Sequence, residues 1–387
     1  MCPSLISPRV FFISSSSISF SLSLRPDAFY SLHSAEAIAR LARLPRSKAV
    51  PAAIRGKEPL PPTQAALNFR KLRAQLAKDG WFKPNLFWEI FYISSCILMA
   101  AGGTVAAMHG WTWTAITLIA FSMQQTGWVG HDLIHGRGTL KREMGYLLTG
   151  PINAFSRHWW SHKHNTHHVF TNYLGVDADV ENDPVFHLFF PDEKDDVLYR
   201  KMQHWYFVPV ASLLYFSWRS QSLQVAVATR QWRELAFFAL NYFWLYQLGW
   251  AVALGSIYFA GFLVAIIVTA THQSEEMIDL SSSQPSEVAA PGGAYSFVEC
   301  QFATTRDAKT SDPFTEWLWG GMQYQLEHHL FPIMPKYYYA QAAPIVEKFA
   351  KDNGLDYRVD TQIQILKRNI NTLKFYAQQP PKEKKVQ

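Results

Sequence analysis

At 387 residues the chain has room for one large domain or two ordinary ones; 17% of it is charged and 15% aromatic. Soluble proteins average about 25% charged, so the shortfall points to a membrane, although a mean hydropathy of −0.07 keeps much of the chain outside lipid. The net charge of +6 suits an anionic membrane surface or a cationic targeting segment, and no basic stripe with interleaved aromatics points to nucleic acid. Cys2, Cys96 and Cys300 are far apart with no CxxC pair, which argues against a disulfide framework or a thiolate metal site.

The chain opens with a serine-rich stretch that holds Arg9 and Arg25 and no acidic residue before Asp27, and basic residues continue through Arg40, Arg43, Arg46, Lys48 and Arg55. This pattern resembles an organellar transit peptide of the chloroplast type; the plainer reading is a disordered tail. Residues 1–60 are therefore set apart from a membrane domain over 61–376, with a charged tail over 377–387.

Residues 90–108 and 111–130 carry no charge, and each is long enough to cross about 30 Å of hydrocarbon at about 1.5 Å per residue. The link at Gly110 permits only a tight hairpin. A longer uncharged stretch, 235–271, suits two crossings, about 235–252 and 254–271, with Gly249 and Gly255 marking the turn. Backbone in lipid must satisfy its own hydrogen bonds, so these segments are helices. The apolar run 205–215, interrupted by Pro209 and Arg219, reads as an interfacial or buried helix. The expected fold is an all-α integral membrane protein with four transmembrane helices in two hairpins, under a helical cap that carries the histidines. Arg70, Lys71, Arg73, Lys78 and Lys83 precede the first span, while the inter-helix turns lack Lys and Arg, which places the cap on the cytosolic or stromal side.

The chain has 14 histidines, and most of them are grouped. His131 and His135 follow the second uncharged stretch; His164, His167 and His168 form a second group; His328 and His329 follow Gln325 in a third. Spacings of three and four put imidazoles on one helix face. A single such row is more often surface or core, but three in one chain point to metal. Imidazole binds iron, zinc and copper and brings no charge into the membrane. So many ligands exceed the needs of one ion and suit two.

These residues resemble the boxes of membrane fatty-acid desaturases. Gln124, Gln125, Gly127 and Trp128 before His131 look like the first box; Trp159, Trp160, Lys163 and Asn165 around the second group look like the second; Gln325 to His329 followed by Leu330, Phe331 and Pro332 looks like the third. Glutamine at the head of the third box marks the front-end branch, which desaturates between an existing double bond and the carboxyl end. The resemblance covers roughly Gly80 to Tyr357 and implies iron ligands at His131, His135, His164, His167, His168, His328 and His329. It adds His272, a lone histidine near the end of the last span, and gives Gln325 a place at the metal through its carbonyl or a water. His162 and His204 stand near the boxes but off their pattern; His33, His109, His158 and His187 are read as structural. Asp132, Asn165 and Glu327 lie inside the boxes, placed to accept the second N–H of a bound imidazole or simply as solvated helix polarity.

The resemblance further implies two irons that use O2 to take hydrogens from adjacent carbons of an acyl chain, leaving a cis double bond and water. The chain carries no HPGG haem motif, so electrons are expected from a separate donor, cytochrome b5 at the endoplasmic reticulum or ferredoxin in a plastid. The substrate would be an acyl-lipid, acyl-CoA or acyl-carrier protein. The competing readings are a sphingolipid long-chain-base desaturase, a hydroxylase on the same scaffold, a zinc-bound membrane receptor or hydrolase, and an inactive relative.

Overall fold

The computed structural model describes residues 26–33, 35–43, 62–135, 139–180, 185–188, 197–275, 277–278 and 296–380. Three helices come first: α1 (Pro26–Leu32), α2 (Ala35–Ala42) and α3 (Gln64–Lys78). Thr63 starts α3 by accepting from the Ala66 amide at 3.2 Å, supplying a bond that the first turn cannot make for itself. Within residues 1–60, α1 makes contacts with the cap. Ala28 of α1 packs with Phe69, Phe297 and Phe331, and Arg73 donates to the Leu32 carbonyl at 2.9 Å. The remainder of 1–60, like 381–387, lies outside the described residues.

The first hairpin joins α4 (Leu86–Met108) to α5 (Thr112–Ile134). Gly110 makes its turn with φ +74°, a backbone conformation that costs glycine little. The two helices approach closely at Gly103, where an added Cβ would sit 2.5 Å from Ile119 Cγ1. Then follow α6 (Thr139–Asn153), α7 (Arg157–Val169), α8 (Leu198–Lys201), α9 (Gln203–Ala211) and α10 (Leu214–Ala228). The second hairpin is α11 (Trp232–Gln247) and α12 (Trp250–Gln273).

The uncharged stretches expected at 90–108, 111–130, 235–252 and 254–271 become helices, with three differences. The turn of the second hairpin falls at Gly249, φ +83°, and not between Gly249 and Gly255. Gly255 lies inside α12, where the missing side chain admits Ile116 of α5. Arg219 does not interrupt the apolar run but sits buried within α10, because its guanidinium donates to Asn241 Oδ1 at 2.8 Å. Asn241 in turn donates to the Pro151 and Ile152 carbonyls, both at 2.8 Å, near the Pro151 position inside α6. One buried polar chain thus fastens α6, α10 and α11. Of the four long helices, Leu86–Met108 and Trp250–Gln273 are long and apolar enough to cross a membrane.

The cap is completed by α13 (Phe297–Thr304), α14 (Pro313–Trp319), α15 (Gln325–Leu330), α16 (Tyr339–Asn353) and α17 (Gln362–Gln378). The fold is not strictly all-α. Strand β1 (Asp307–Lys309) pairs in parallel with β2 (Val359–Thr361), because the chain returns after α16 to the extended backbone that precedes α14.

Helix packing at glycine generates a test. An added Cβ at Gly261 would lie 2.3 Å from the Ser212 carbonyl oxygen, a backbone atom, whereas at Gly102 the nearest contact is an ordinary 3.6 Å. Gly261→Ala should destabilise the detergent-solubilised protein by about 1–3 kcal/mol, read as a fall of several degrees in Tm. Gly102→Ala should stay within a degree or so of the parent. Equal melting of the two variants would contradict this packing.

Candidate metal centre

The three histidine groups come from helix segments far apart in sequence. His131 sits in the last turn of α5 and His135 caps it, so the first box continues the helix rather than following it. Ser156 accepts from the Trp159 amide at 3.1 Å and starts α7, which carries His164, His167 and His168. His328 and His329 ride on the short α15, and His272 ends α12.

Folding gathers them into two sets. His131, His135, His164, His168 and His328 offer nitrogens all within 4.8 Å of one another, and so do His167, His272 and His329. His131 Nε2 lies 2.7 Å from His164 Nε2, which is 3.0 Å from His168 Nε2. The rings of His168 and His329 stack at 4.3 Å and join the sets. Gln325 Nε2 lies 2.9 Å from His272 Nε2, so the glutamine belongs to the second set.

Buried polar atoms are normally satisfied, yet among the described residues Nε2 of His328 and of His329 has no hydrogen-bond partner. The opposite nitrogen of each ring is engaged: His328 Nδ1 lies 3.0 Å from Tyr339 Oη and His329 Nδ1 2.8 Å from Gln301 Oε1. A ring held at Nδ1 with a bare Nε2 facing other imidazoles is the arrangement of a metal ligand. Burial, followed by repulsion from neighbouring imidazoles, holds His168, His328 and His329 well below the usual histidine range. Burial also lowers His164, against the opposing pull of Asp179. These rings are neutral and their lone pairs are free to bind a cation. His167 differs: burial lowers it, but the Asp177 carboxylate outweighs that and raises it.

Several imidazoles have hydrogen-bond partners outside the boxes. Asn165 is exposed. Glu327 is buried and accepts from Tyr357 Oη at 3.0 Å, and burial followed by the adjacent Asp307 carboxylate pushes it well above the carboxylate range. It therefore helps to seat α15, where Asp307 accepts from the Leu326 amide at 2.8 Å. Asp132 is buried in α5. The observed partners are Asp177, 2.8 Å from His167 Nδ1; Gln301; Tyr339; and the Thr304 carbonyl, 3.1 Å from His272 Nδ1. Asp179 adds a longer 3.8 Å contact to His164 Nδ1. The acidic run after the second box was the one sequence signal for Asp177 and Asp179; Gln301 and Tyr339 had none. His158 pairs with Glu234 at 2.8 Å, and His162 is exposed.

A cavity of about 890 Å³ runs beside the centre. His131, His164, His272 and Gln325 form part of its wall, with Trp160 against His131 and His164 and Trp218 lining it beyond Trp160.

Residues 108–361 match the family described as fatty acid desaturase. The chain belongs to this family. It is 32% identical to the Delta(6)-fatty-acid desaturase fat-3 of Caenorhabditis elegans, over 80% of this chain and 75% of the relative. It is 28% identical to the Acyl-lipid (9-3)-desaturase of Physcomitrium patens, over 78% of this chain and 61% of the relative. With the Delta(5) fatty acid desaturase fat-4 of Caenorhabditis elegans the identity is 29%, over 76% and 70%. These relatives bear out the front-end resemblance, and the buried histidine sets of this desaturase are compatible with metal.

Two outcomes follow. Asp177→Asn removes the charge that holds His167 and should lower metal affinity about 10–100-fold with the helical circular dichroism intact; undiminished metal content would contradict the orienting role. Four imidazoles with lowered values bind protons less readily folded than unfolded, so their contribution to stability falls as pH drops below 6.5, their ordinary value; the raised His167 and the raised Glu327 carboxyl oppose this and are outnumbered. Metal-stripped desaturase should melt lower at about pH 5.5 than at about pH 7.5, and equal melting would contradict neutral imidazoles.

Proposed function

We propose that this desaturase is a di-iron, O2-dependent enzyme that inserts a cis double bond into an unsaturated acyl chain, on the carboxyl side of an existing double bond. The observation that carries the reading is the pair of adjoining histidine sets in the wall of one large cavity. The ligands are His131, His135, His164, His168 and His328 for one iron and His167, His272 and His329 for the other, with Gln325 beside the second. The relatives' names supply the substrate class, an acyl-lipid or other fatty-acyl carrier.

An unactivated methylene is far too weak an acid for any side-chain base, and two irons held by these histidines would supply the O2-dependent oxidation. The protein's part is positional. Asp177, Gln301, Tyr339 and the Thr304 carbonyl fix the orientation of four imidazoles. Trp160 stacks on His164 at 4.9 Å and forms the cavity wall there, which keeps water from the reacting carbons. Electrons come from a separate cytochrome b5 or ferredoxin.

The membrane topology follows the same reading: α4, α5, α11 and α12 cross as two hairpins and the cap faces the cytosol or stroma. Its support is the aromatic residues at both hairpin turns, with Trp113, Tyr246 and Trp250 each 79–81% exposed, as suits a membrane interface. The membrane is that of the endoplasmic reticulum or the chloroplast.

Expression in yeast fed several polyunsaturated acids tests the activity. The expected result is a new fatty-acid double bond in the parent and none above background in His168→Ala; new bonds confined to sphingoid bases would overturn the acyl reading. The purified protein should contain about two irons per chain, one for each histidine set. About one zinc with no iron would overturn the di-iron centre.

A further inference from the structure

The cavity changes character along its length. At one end Val180, Phe186, Phe207 and Ala211 are buried and pack with Ala265, with Val210 alongside. The other end follows α10 beyond Trp218, where Gln221 and Gln224 line it together with Arg157 and His158 of α7. Between the ends stands Lys163, which also lines the cavity. Its ammonium lies 2.5 Å from Asp179 Oδ1 and 5.7 Å from the rings of both Trp159 and Trp218. Trp159 Nε1 donates to Gln221 Oε1 at 3.1 Å, and Gln221 Nε2 donates to Ser217 Oγ at 2.9 Å. An ammonium has three N–H donors and a primary amide two, so both side chains retain donating capacity beyond these bonds.

These donors lie close to the histidines. Trp160 stacks on His164 and meets Trp218 edge-on at 5.2 Å, and the Lys163 ammonium lies over Trp218, so two indoles lead from the metal centre to Lys163. A bond set at the fifth or sixth carbon, as the names of two relatives state for them, leaves few carbons between the reacting pair and the carbonyl. The longer remainder of the chain must run the other way, into apolar surroundings. The cavity offers this asymmetry, with donors a short reach from the histidines on one side and a deep apolar end on the other.

We propose that Lys163 and Gln221 are positioning residues that hydrogen-bond the carbonyl oxygen of the bound acyl ester or thioester, while the methyl end lies toward Phe186 and Phe207. This rests on the front-end acyl reading. The anchored carbonyl sets the register of the chain and so determines which carbon pair faces the histidines.

The test measures where the double bond forms. The full chain is expressed in yeast membranes and supplied with a labelled polyunsaturated chain, as phosphatidylcholine in one arm and as acyl-CoA in the other; the productive arm identifies the carrier. Mass spectrometry then locates the new bond. Gln221→Leu should raise the share of product with a displaced bond at least tenfold and raise KM several-fold, with iron content unchanged. Lys163→Met should do the same, and Lys163→Arg, which keeps a cationic donor, should restore the parental position. Should Lys163→Met lose iron through its bond to Asp179, Gln221→Leu decides alone. A parental bond position and KM in Gln221→Leu would overturn the anchor. A parent that makes no fatty-acid double bond would overturn the activity itself.

Discussion

The structure depends on keeping a group of buried imidazoles neutral, oriented and close together without a hydrophobic reason to be so. Eight rings converge in two adjoining sets, and each ring nitrogen turned inward gives up water. The compensation is made at the outer nitrogens, where Asp177, Gln301, Tyr339 and the Thr304 carbonyl hold four rings at 2.8–3.1 Å. Their bonds choose the tautomer and aim the lone pair. Without them the rings would rotate to find one another or solvent, and the cavity beside them would lose a defined wall.

The scaffold meets this demand by placing the histidines at the ends of rigid elements. His131 and His272 end two long helices, and both helices are locked by close approaches at glycine: Gly103 and Gly255 admit Ile119 and Ile116 of α5, and Gly261 admits the Ser212 carbonyl. A buried guanidinium, Arg219, sits in this apolar surrounding because Asn241 accepts from it and passes the connection to the backbone of α6, with the Tyr242 ring against it. On the opposite side Asp307, Glu327 and Tyr357 seat the short α15, whose six residues could not hold a helix unaided.

The same side chains couple the centre to the cavity. Lys163 binds Asp179, which contacts His164, and lies against the Trp159 and Trp218 rings. Trp160 covers His164. The cavity wall is thus built from residues that also steady His164, so a displacement of one is felt by the other.

Much of this was readable in the chain. Long uncharged stretches demanded helices because lipid offers backbone no partner, and imidazoles spaced by three and four had to share helix faces. Those constraints are local, and they sufficed for the hairpin helices and the histidine rows; the family was legible only through the resemblance of the boxes. What the sequence could not disclose was non-local. The partition of eight histidines into sets of five and three, the choice of Asp177 and Gln301 over Asn165 and Glu327 as their partners, the pairing of β1 with β2, and the burial of Arg219 all depend on segments brought together from far apart. Sequence spacing determines which face of a helix a residue occupies; only the packing of helices decides what that face meets.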